Sequence, residues 1–394
     1  MVPRACEGCR IRKIRCDRSI PCSNCRTSEI TCQSAHISSN SHPKPDRVTQ
    51  LTEALLPDKF IISILKSFKV RTPIFLTSEY DLKSQLARCE YNVNSGLESY
   101  DVLAVPAFEN VLALTMGIIK AQEEAKLLLC STLICAAAGH CRMLGYHRET
   151  TYQNDRTGRA ESMRRLFWTV YVFDKNISLL SGQSSCLRDS DIDASYPSPL
   201  VKPDLRPWDE SFILGIKLAQ LQGQIYDNLY SVSALRSALD DRKQSVGGLV
   251  PAMRQLRIEL ENIDGKHAAN PQIFELSRKH WDVMYYSTLT SLLRASSIPG
   301  PGAEINSQCF EAARLSLQSH IQCFSGYHST GFLTDADYSN WVLHFSSFTP
   351  FIVIFLHAIA GTCAEDVQLL DDLSDICTAC ERSGSIAVFR YRDV

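Results

Sequence analysis

The stretch CEGCRIRKIRCDRSIPCSNCRTSEITC, from Cys6 to Cys32, contains six cysteines close to the start of a 394-residue chain. The spacing C-x2-C-x6-C occurs in it twice, the second copy sixteen residues after the first, at Cys6, Cys9, Cys16, Cys22, Cys25 and Cys32. A duplicated ligand set predicts two equivalent metal positions. Two tetrahedral zinc ions have eight ligand positions, and thiolate sulfur is a preferred ligand in closed structural zinc sites. Six cysteines fill them if two thiolates bridge, so we predict two Zn²⁺ ions per chain, bridged by Cys6 and Cys22.

The rest of the sequence favours metal ligands over disulfides for these thiols. Residues 1–20 contain no apolar core of the kind that a signal peptide needs. The most apolar runs, Leu127–Gly139 and Phe351–Gly361, are shorter than the about 20 residues that span a bilayer. We therefore expect an intracellular protein with no membrane partner, in a compartment where cysteines stay reduced.

Positive charge is concentrated in the first half of the cysteine repeat. Residues 1–32 carry seven basic and three acidic side chains, a net charge of +4, whereas the whole chain carries −2. The run RIRKIR lies between Cys9 and Cys16, and the matching segment of the second half is RTSEIT. A short helix over residues 9–15 would carry these basic residues around its free surface. Such a surface favours binding to phosphates and entry into a DNA major groove.

The stretch resembles the fungal Zn2Cys6 binuclear-cluster DNA-binding domain in its six cysteines, its basic run and the proline before the fourth cysteine, Pro21. The resemblance implies that Lys13 reads a guanine-rich triplet of CGG type and that Arg12 assists it. Arg10 and Arg15 would hold the DNA backbone, and the run Arg10–Arg18 could also direct nuclear import. The DNA-contacting set predicted in this way is Lys13, Arg12, Arg10, Arg15 and Arg18.

Two other kinds of site for these cysteines fit the sequence less well. An iron–sulfur centre takes thiolates but does not explain a duplication with basic residues in one half. A zinc deaminase has H-x-E followed by P-C-x-x-C. Here His147–Glu149 follows Pro21–Cys25, which is the wrong order, and Cys22 and Cys25 already belong to the repeat.

A polar tether separates the cysteine-rich head from the remainder. Residues 33–50 are rich in Ser and Pro and have almost no apolar period, which is typical of a flexible linker. Val48, Leu51 and Leu55 then show 3–4 spacing that Pro57 interrupts after about one heptad. This segment is either a short dimerisation helix or the first helix of the next domain.

Beyond residue 58 the apolar residues recur at helical spacing, and no long alternation predicts a sheet. The predicted fold class is mainly α: a small binuclear zinc-cluster domain joined by a flexible linker to a large all-α helical regulatory domain. The predicted domains are 1–35 for DNA binding, 36–57 for the linker and 58–394 for the helical domain. Within the last, the stretches Arg164–Pro197 and Leu144–Glu149 resemble the middle homology region of the same fungal regulators. The resemblance covers roughly residues 50 to 385 and is strongest over 110–200.

Two long apolar stretches define the predicted helices of this region. One spans Phe108 to Leu144 with Gly145 as its stop, and its cysteines are expected in the core: Cys130, Cys135 and Cys141. The other runs from Ser162 to Leu180 and ends at Ser181–Gly182, and because it is apolar nearly all round we expect it inside a bundle.

The polar residues of the helical region receive structural roles. Asp189, Asp191 and Asp193 are expected to pair with one of three arginines, Arg164, Arg165 and Arg188, rather than bind a cation. The trio His147–Glu149 is expected to form a polar cluster at a helix end. Cys377 and Cys380 form an isolated C-x-x-C that we assign to chance placement on a helix. No nucleotide-binding or nucleophile motif is present, so no enzyme is expected.

The sequence therefore predicts a zinc-dependent, sequence-specific transcription factor of the nucleus that binds double-stranded DNA. A homodimer, a small-molecule effector and a coregulator remain open as further partners. One alternative is a DNA-binding competitor or repressor, because the final segment VFRYRDV brings no acidic activation tail. Another is an enzyme or ligand-binding module with a DNA-binding appendage.

Overall fold

The computed structural model describes residues 9, 15–17, 19, 22–28, 98, 100–199, 202–295, 307–331, 333–361 and 363–382. The regular structure in these ranges is helical and includes no β-strand, which confirms the mainly-α prediction. The chain divides into two compact units, one within residues 1–50 and one within 51–394. The predicted tether and the segments around Val48 and Pro57 lie outside the described residues, so the predicted domain boundaries stay a prediction.

The N-terminal unit contributes one short helix to the described residues, α1 (Ser23–Thr27). The second unit contributes α2 (Tyr100–Ala104), α3 (Phe108–Glu123), α4 (Leu127–Met143), α5 (Glu149–Gln153), α6 (Ala160–Ser181), α7 (Arg206–Ile225), α8 (Val232–Arg236), α9 (Leu239–Glu261), α10 (Pro271–Arg294), α11 (Ser307–Ser329), α12 (Asp335–Trp341), α13 (Thr349–Gly361) and α14 (Ala364–Arg382). A π-helical turn, Tyr226–Tyr230, continues α7, and 3-10 turns lie at Asp189–Asp191 and Leu343–Phe345.

Helix α6 is the buried helix that its composition predicts. It packs against α3, α4 and α7. Phe167, Trp168 and Tyr171 are almost completely buried. The helix ends at Gly182, whose φ of 64° is left-handed, as is common for a glycine just beyond a helix. Both the helix and its glycine stop are confirmed.

The apolar stretch from Phe108 to Leu144 forms two helices, α3 and α4, rather than one. The chain reverses at Ala125, which has a left-handed φ of 54°. The backbone N–H of Lys126 donates to the carbonyl of Ala121 at 2.8 Å and closes the end of α3. Gly145 follows α4 with φ of 73° and is confirmed as a stop.

One of the three cysteines placed in the core by the sequence is not buried. Cys130 and Cys141 are completely buried in α4, as predicted. Cys135 is exposed, because it points away from the face that the other two share, and its Sγ lies 3.2 Å from Sγ of Cys186. The expectation for Cys135 was wrong.

The C-terminal half of the second unit is organised around a pair of long helices. Helix α11 packs along α10 and also contacts α13 and α14. Cys377 and Cys380 lie on α14, and burial raises the pKa of these thiols to about 11 and about 12. They are therefore protonated near neutral pH, which agrees with their assignment as packing residues rather than thiolate ligands.

Among the described residues, no single helix is long and apolar enough to cross a membrane. One broken pair, Asp335–Phe345 with Thr349–Gly361, meets the length and composition criteria but bends by 83°.

Aspartates 189, 191 and 193 do not use the arginine partners that the sequence suggested. Asp189 accepts hydrogen bonds from the buried Lys175 ammonium at 2.8 Å and from the Tyr171 hydroxyl at 2.7 Å. Asp193 accepts from the backbone N–H of Glu149. The predicted arginine pairing is wrong, because Arg164 pairs with Glu149, and Arg165 pairs with Glu161 and Asp209.

The stem of Lys175 occupies the space beside a glycine of the neighbouring helix. Lys175 is 1% exposed, and its Nζ also donates to Oγ of Ser185 at 3.0 Å. A Cβ at Gly223 in α7 would lie 3.0 Å from both Cδ and Nζ of Lys175. The absence of a side chain at Gly223 therefore lets the lysine stem pass between α6 and α7.

The trio His147–Glu149 forms the helix-end polar cluster predicted from the sequence. Glu149 begins α5 and accepts two hydrogen bonds from the Arg164 guanidinium, at 2.7 and 2.9 Å, and one from the backbone N–H of Ser195. These bonds, first that of Arg164 and then that of Ser195, lower the pKa of Glu149 to about 2. The cluster ties α5 to α6 and to the loop that follows α6.

Candidate metal centre and nucleic-acid interface

Three cysteine sulfurs converge in the N-terminal unit. The Sγ atoms of Cys9, Cys16 and Cys22 all lie within 4.8 Å of one another, and those of Cys9 and Cys22 are 3.5 Å apart. Cys9 and Cys22 are fully buried, and Cys16 is half-buried beside them. The fold therefore places the first cysteine of the second half, Cys22, among the cysteines of the first half.

The spacing of these sulfurs fits a shared zinc ion. A tetrahedral site with Zn–S distances of about 2.3 Å separates its sulfurs by about 3.8 Å. The 3.5 Å between Cys9 and Cys22 is close to that value and far longer than a disulfide. Three thiolates of this set would occupy three corners of one tetrahedron and leave one corner for a fourth ligand.

Helix α1 connects the sulfur cluster to the second half of the repeat. Cys22 caps the N-terminus of α1, and its Sγ accepts a hydrogen bond from the backbone N–H of Cys25 at 3.4 Å. Cys25 is fully buried and packs in the same cluster. A backbone donor to Cys22 sulfur stabilises the thiolate form that metal binding requires. Cys22 thus contacts ligands of both halves.

Two residues that the sequence analysis did not select hold this arrangement together. Asp17 accepts hydrogen bonds from the backbone N–H groups of Ser19 and Ser23 and from the Ser19 hydroxyl, and the bonds from Ser23 and Ser19 lower its pKa to about 2. Asn24 donates from Nδ2 to the carbonyl of Arg15 at 2.6 Å. The short Asp-x-Ser spacing before a helix was the available signal for Asp17, since aspartate readily closes such turns.

The structure describes some of the predicted zinc ligands and DNA-contacting residues. Cys9, Cys16, Cys22 and Cys25 are brought together. Arg15 is exposed, and its backbone is fixed by Asn24. Cys9 is helical and Arg15 is not, and the rest of the helix predicted over 9–15 lies outside the described residues. The residues that lie outside the described ones are Cys6, Cys32, Lys13, Arg12, Arg10 and Arg18.

Comparison with known families finds two matches on this chain. Residues 4–41 match the fungal Zn(2)-Cys(6) binuclear cluster domain, a domain that binds two zinc ions. Residues 116–264 match the fungal specific transcription factor domain, which covers α4 to α9 and the second half of α3. No solved structure is significantly similar to the chain. The two matches agree in identity and order with the two resemblances seen in the sequence.

Individual relatives are fungal regulators of greater length. An uncharacterised transcriptional regulatory protein of Schizosaccharomyces pombe is 26% identical over 297 residues, which cover 70% of this chain and 45% of the relative. Protein STB5 of Saccharomyces cerevisiae is 26% identical over 42% of this chain and 24% of its own length. An ABC-transporter-regulating transcription factor of Aspergillus fumigatus is 27% identical over 42% of this chain and 20% of its own length.

The matched segments thus cover less than half the length of these relatives. The chain carries a Zn(2)-Cys(6) binuclear cluster domain followed by a fungal specific transcription factor domain, and the relatives that it matches are fungal transcriptional regulators.

Proposed function

We propose that the chain is a zinc-dependent, sequence-specific DNA-binding transcription regulator that acts in the nucleus. The observation that carries the proposal is the approach of the Cys9, Cys16 and Cys22 sulfurs to within 4.8 Å at the two ends of the basic run. Zinc bound there would fix a loop of four basic residues on a small rigid unit, which is the form of a phosphate- and base-contacting element.

The proposed ligand set is the whole repeat, with two Zn²⁺ ions and with Cys6 and Cys22 as the bridging thiolates. The position of Cys22 supports its bridging role, because its sulfur lies 3.5 Å from that of Cys9 and also accepts the N–H of Cys25. Its sulfur thus contacts one cysteine of each half of the repeat. The equivalent role of Cys6 follows from the symmetry of the spacing.

The proposed DNA contacts divide into two kinds. Lys13, assisted by Arg12, reads a CGG-like triplet by donating to guanine O6 and N7, a pairing worth about 1–3 kcal/mol of discrimination. Arg10, Arg15 and Arg18 hold phosphates, which adds affinity without sequence preference. The exposure of Arg15 and the fixing of its carbonyl by Asn24 support its role, since the side chain is free to meet a phosphate while the backbone is held.

Selection from a random DNA pool tests this proposal in the zinc-loaded full chain. We expect enrichment of CGG-like triplets. One triplet per bound site would indicate a monomer, and two at a fixed spacing would indicate a homodimer and give its geometry. Enrichment of no sequence would contradict the proposal.

Three substitutions separate the proposed contacts. Lys13→Ala should weaken binding to the selected triplet about 10-fold or more and binding to random DNA much less. Arg15→Ala should weaken both and lower the salt dependence of binding. Arg26→Ala is the matched control, because Arg26 is an exposed arginine of α1 in the second half, outside the basic run. Equal losses on both DNAs for Lys13→Ala would refute its role as base reader.

A further inference from the structure

The helical unit contains a cavity at the crossing of α6, α7 and α10. It encloses about 190 Å³ of space that the centre of a water molecule can reach. For comparison, an apolar cavity of about 150 Å³ in a protein core takes up benzene. The space is therefore sufficient for a molecule of one or two aromatic rings.

The wall of the cavity is aromatic and uncharged. Three of the four tryptophans of the chain line it, Trp208, Trp281 and Trp341, together with Phe173 and Met284. No aspartate, glutamate, lysine or arginine belongs to its lining. A charged ligand would lose its hydration without gaining a counter-charge, so the wall selects neutral and largely apolar molecules.

Two buried polar atoms of the cavity residues lack a hydrogen-bond partner. They are Oε1 of Gln122, a side chain only 3% exposed, and Nε2 of His280. Other polar groups of the lining are paired: Trp281 donates to Oγ of Ser211 at 2.8 Å, for example. An unsatisfied buried polar group costs about 1–3 kcal/mol, so a ligand that pairs with either atom gains that amount of stabilisation.

The side chain of His280 is neutral under ordinary conditions. Burial lowers its pKa to about 4. His320, on the adjacent α11, is also kept neutral, with a pKa lowered to about 3 by burial and then by His280. At neutral pH these groups therefore add no charge to this part of the interior.

We infer that the cavity between α6, α7 and α10 is a binding site for a neutral aromatic molecule of one or two rings that carries a hydrogen-bond donor directed at Oε1 of Gln122. The site deepens the proposed function, because its ligand would act as an effector of the regulator. The binding itself does not require DNA. A test of binding without DNA therefore separates a failure of this inference from a failure of the proposed function.

Equilibrium dialysis of the zinc-loaded full chain against 2-naphthol tests the inference. This probe is neutral at pH 7, has two rings and carries one O–H donor, and naphthalene is the same molecule without the donor. We expect saturable binding of one 2-naphthol per chain with a Kd of about 10–100 μM, in the range of so small a ligand. The anion 2-naphthalenesulfonate should not compete. No saturable binding, or equal competition by the sulfonate, would overturn the inference.

Filling the cavity should abolish binding. Gly215 lies in α7 on the cavity wall, and a Cβ there would meet only Cζ2 of Trp281, at 3.9 Å. Gly215→Leu should place its side chain in the cavity and weaken 2-naphthol binding about 10-fold or more. Gly248→Leu is the matched control, since Gly248 is an exposed glycine of α9 with nothing within 4 Å of its Cβ position, and should bind as the unchanged chain does.

A second variant keeps the test decisive if Gly215→Leu folds poorly. Gln122→Leu removes the buried acceptor with little change in volume. This substitution should weaken the binding of 2-naphthol several-fold and leave the binding of naphthalene unchanged or stronger. If both variants bind 2-naphthol as the unchanged chain does, the probe binds elsewhere and the assignment of the cavity is wrong.

Discussion

Arg165 and Asp209 form an ion pair from which water is excluded. Nη1 of Arg165 lies 2.8 Å from Oδ1 of Asp209, and the two side chains are 3% and 1% exposed. Arg165 also donates to the carbonyl of Ser198. Glu161 also lies 3.1 Å from Nε of Arg165, with a side chain that is 33% exposed. Removal of Asp209 would therefore leave the buried guanidinium with one acidic partner in place of two.

Asp209→Asn should therefore lower the free energy of unfolding by about 1–3 kcal/mol, because Glu161 still offsets part of the arginine charge. The neighbouring Glu210 provides the control. It pairs with Arg206 at 2.8 Å, but the Arg206 side chain is 69% exposed, so Glu210→Gln should cost less than about 0.5 kcal/mol. Urea unfolding followed by circular dichroism measures both. Similar losses for the two variants would show that burial does not govern the strength of these pairs.

Glu149 makes stability depend on pH in the acid range. Its pKa is lowered to about 2, below the value of an unfolded glutamate, so its stabilising contribution is present above about pH 4.3 and is lost as pH falls toward 2. About a quarter of the side chain remains exposed, and screening should limit the contribution to about 1 kcal/mol. Glu149→Gln should therefore be less stable than the unchanged chain at pH 7 and equal to it near pH 2. Urea unfolding across this range checks the convergence, and a constant difference would contradict it.

The partners of single residues were predictable only where they are close in sequence. The sulfur cluster follows from spacing, because each C-x2-C places two ligands on one turn. The acidic partners of the arginines do not follow from spacing. Asp209 is 44 residues from Arg165 in sequence and contacts it only because α7 packs on α6. Composition alone therefore assigned Arg165 to the wrong acidic group.

At the scale of elements, the left-handed glycine at the end of α6 allows the cost of backbone strain to be tested. Gly182 has φ of 64°, and a Cβ there would meet nothing within 4 Å, so only backbone strain opposes a side chain. Gly182→Ala should destabilise the chain by about 1 kcal/mol.

Gly139→Ala is the control, for which we expect a change in stability of the opposite sign. Gly139 lies inside α4 and also has an open Cβ position, so the alanine should stabilise the helix by about 0.5–1 kcal/mol. Thermal melting of both variants checks the pair. Destabilisation of similar size at the two glycines would show that their local conformation is not the deciding factor.

Helix limits were predictable where glycine marks them and were not where a non-glycine residue turns the chain. Helix α6 was predicted within about two residues at each end, because apolar periodicity and Gly182 agree. The break between α3 and α4 occurs at Ala125, which carries no local turn signal. Its left-handed conformation is set by the packing of α3 on α4, which sequence does not display.

For the whole molecule, zinc should matter to one unit and little to the other. The helical unit has an extensive apolar core of its own. The N-terminal unit, among its described residues, has a core of three buried cysteines with Cys16 packed against them. A fold with so small a core depends on its metal for stability.

Chelation with EDTA should release two zinc ions per chain and abolish binding to the selected DNA. Far-UV circular dichroism should change little, because most helices belong to the second unit, and added zinc should restore binding. Metal analysis and a DNA-binding assay on the same sample check this. Specific binding by the metal-free chain would contradict zinc dependence, and a large loss of helix would contradict the independence of the helical core.

The cavity marks the limit of what the sequence could predict for the molecule as a whole. Its lining comes from segments between Gln122 and Phe345, which no local pattern connects. The composition of α6 predicts a buried helix, but no pattern in it indicates which face of the helix borders the cavity. The two kinds of domain were predictable from cysteine spacing and composition. The shape of the interior was not, because it depends on side chains that meet only after folding.

The crossing of Lys175 over Gly223 restricts how this protein can change by mutation. A methyl group at position 223 would force the lysine stem to shift by a few tenths of an ångström against its pairing with Asp189, so Gly223→Ala should be destabilising while the lysine is present. After a shorter, uncharged residue had replaced Lys175, the same methyl group would fill the vacated space. The effect of Gly223→Ala therefore depends on the residue at position 175, so the two positions should favour one order of replacement over the other.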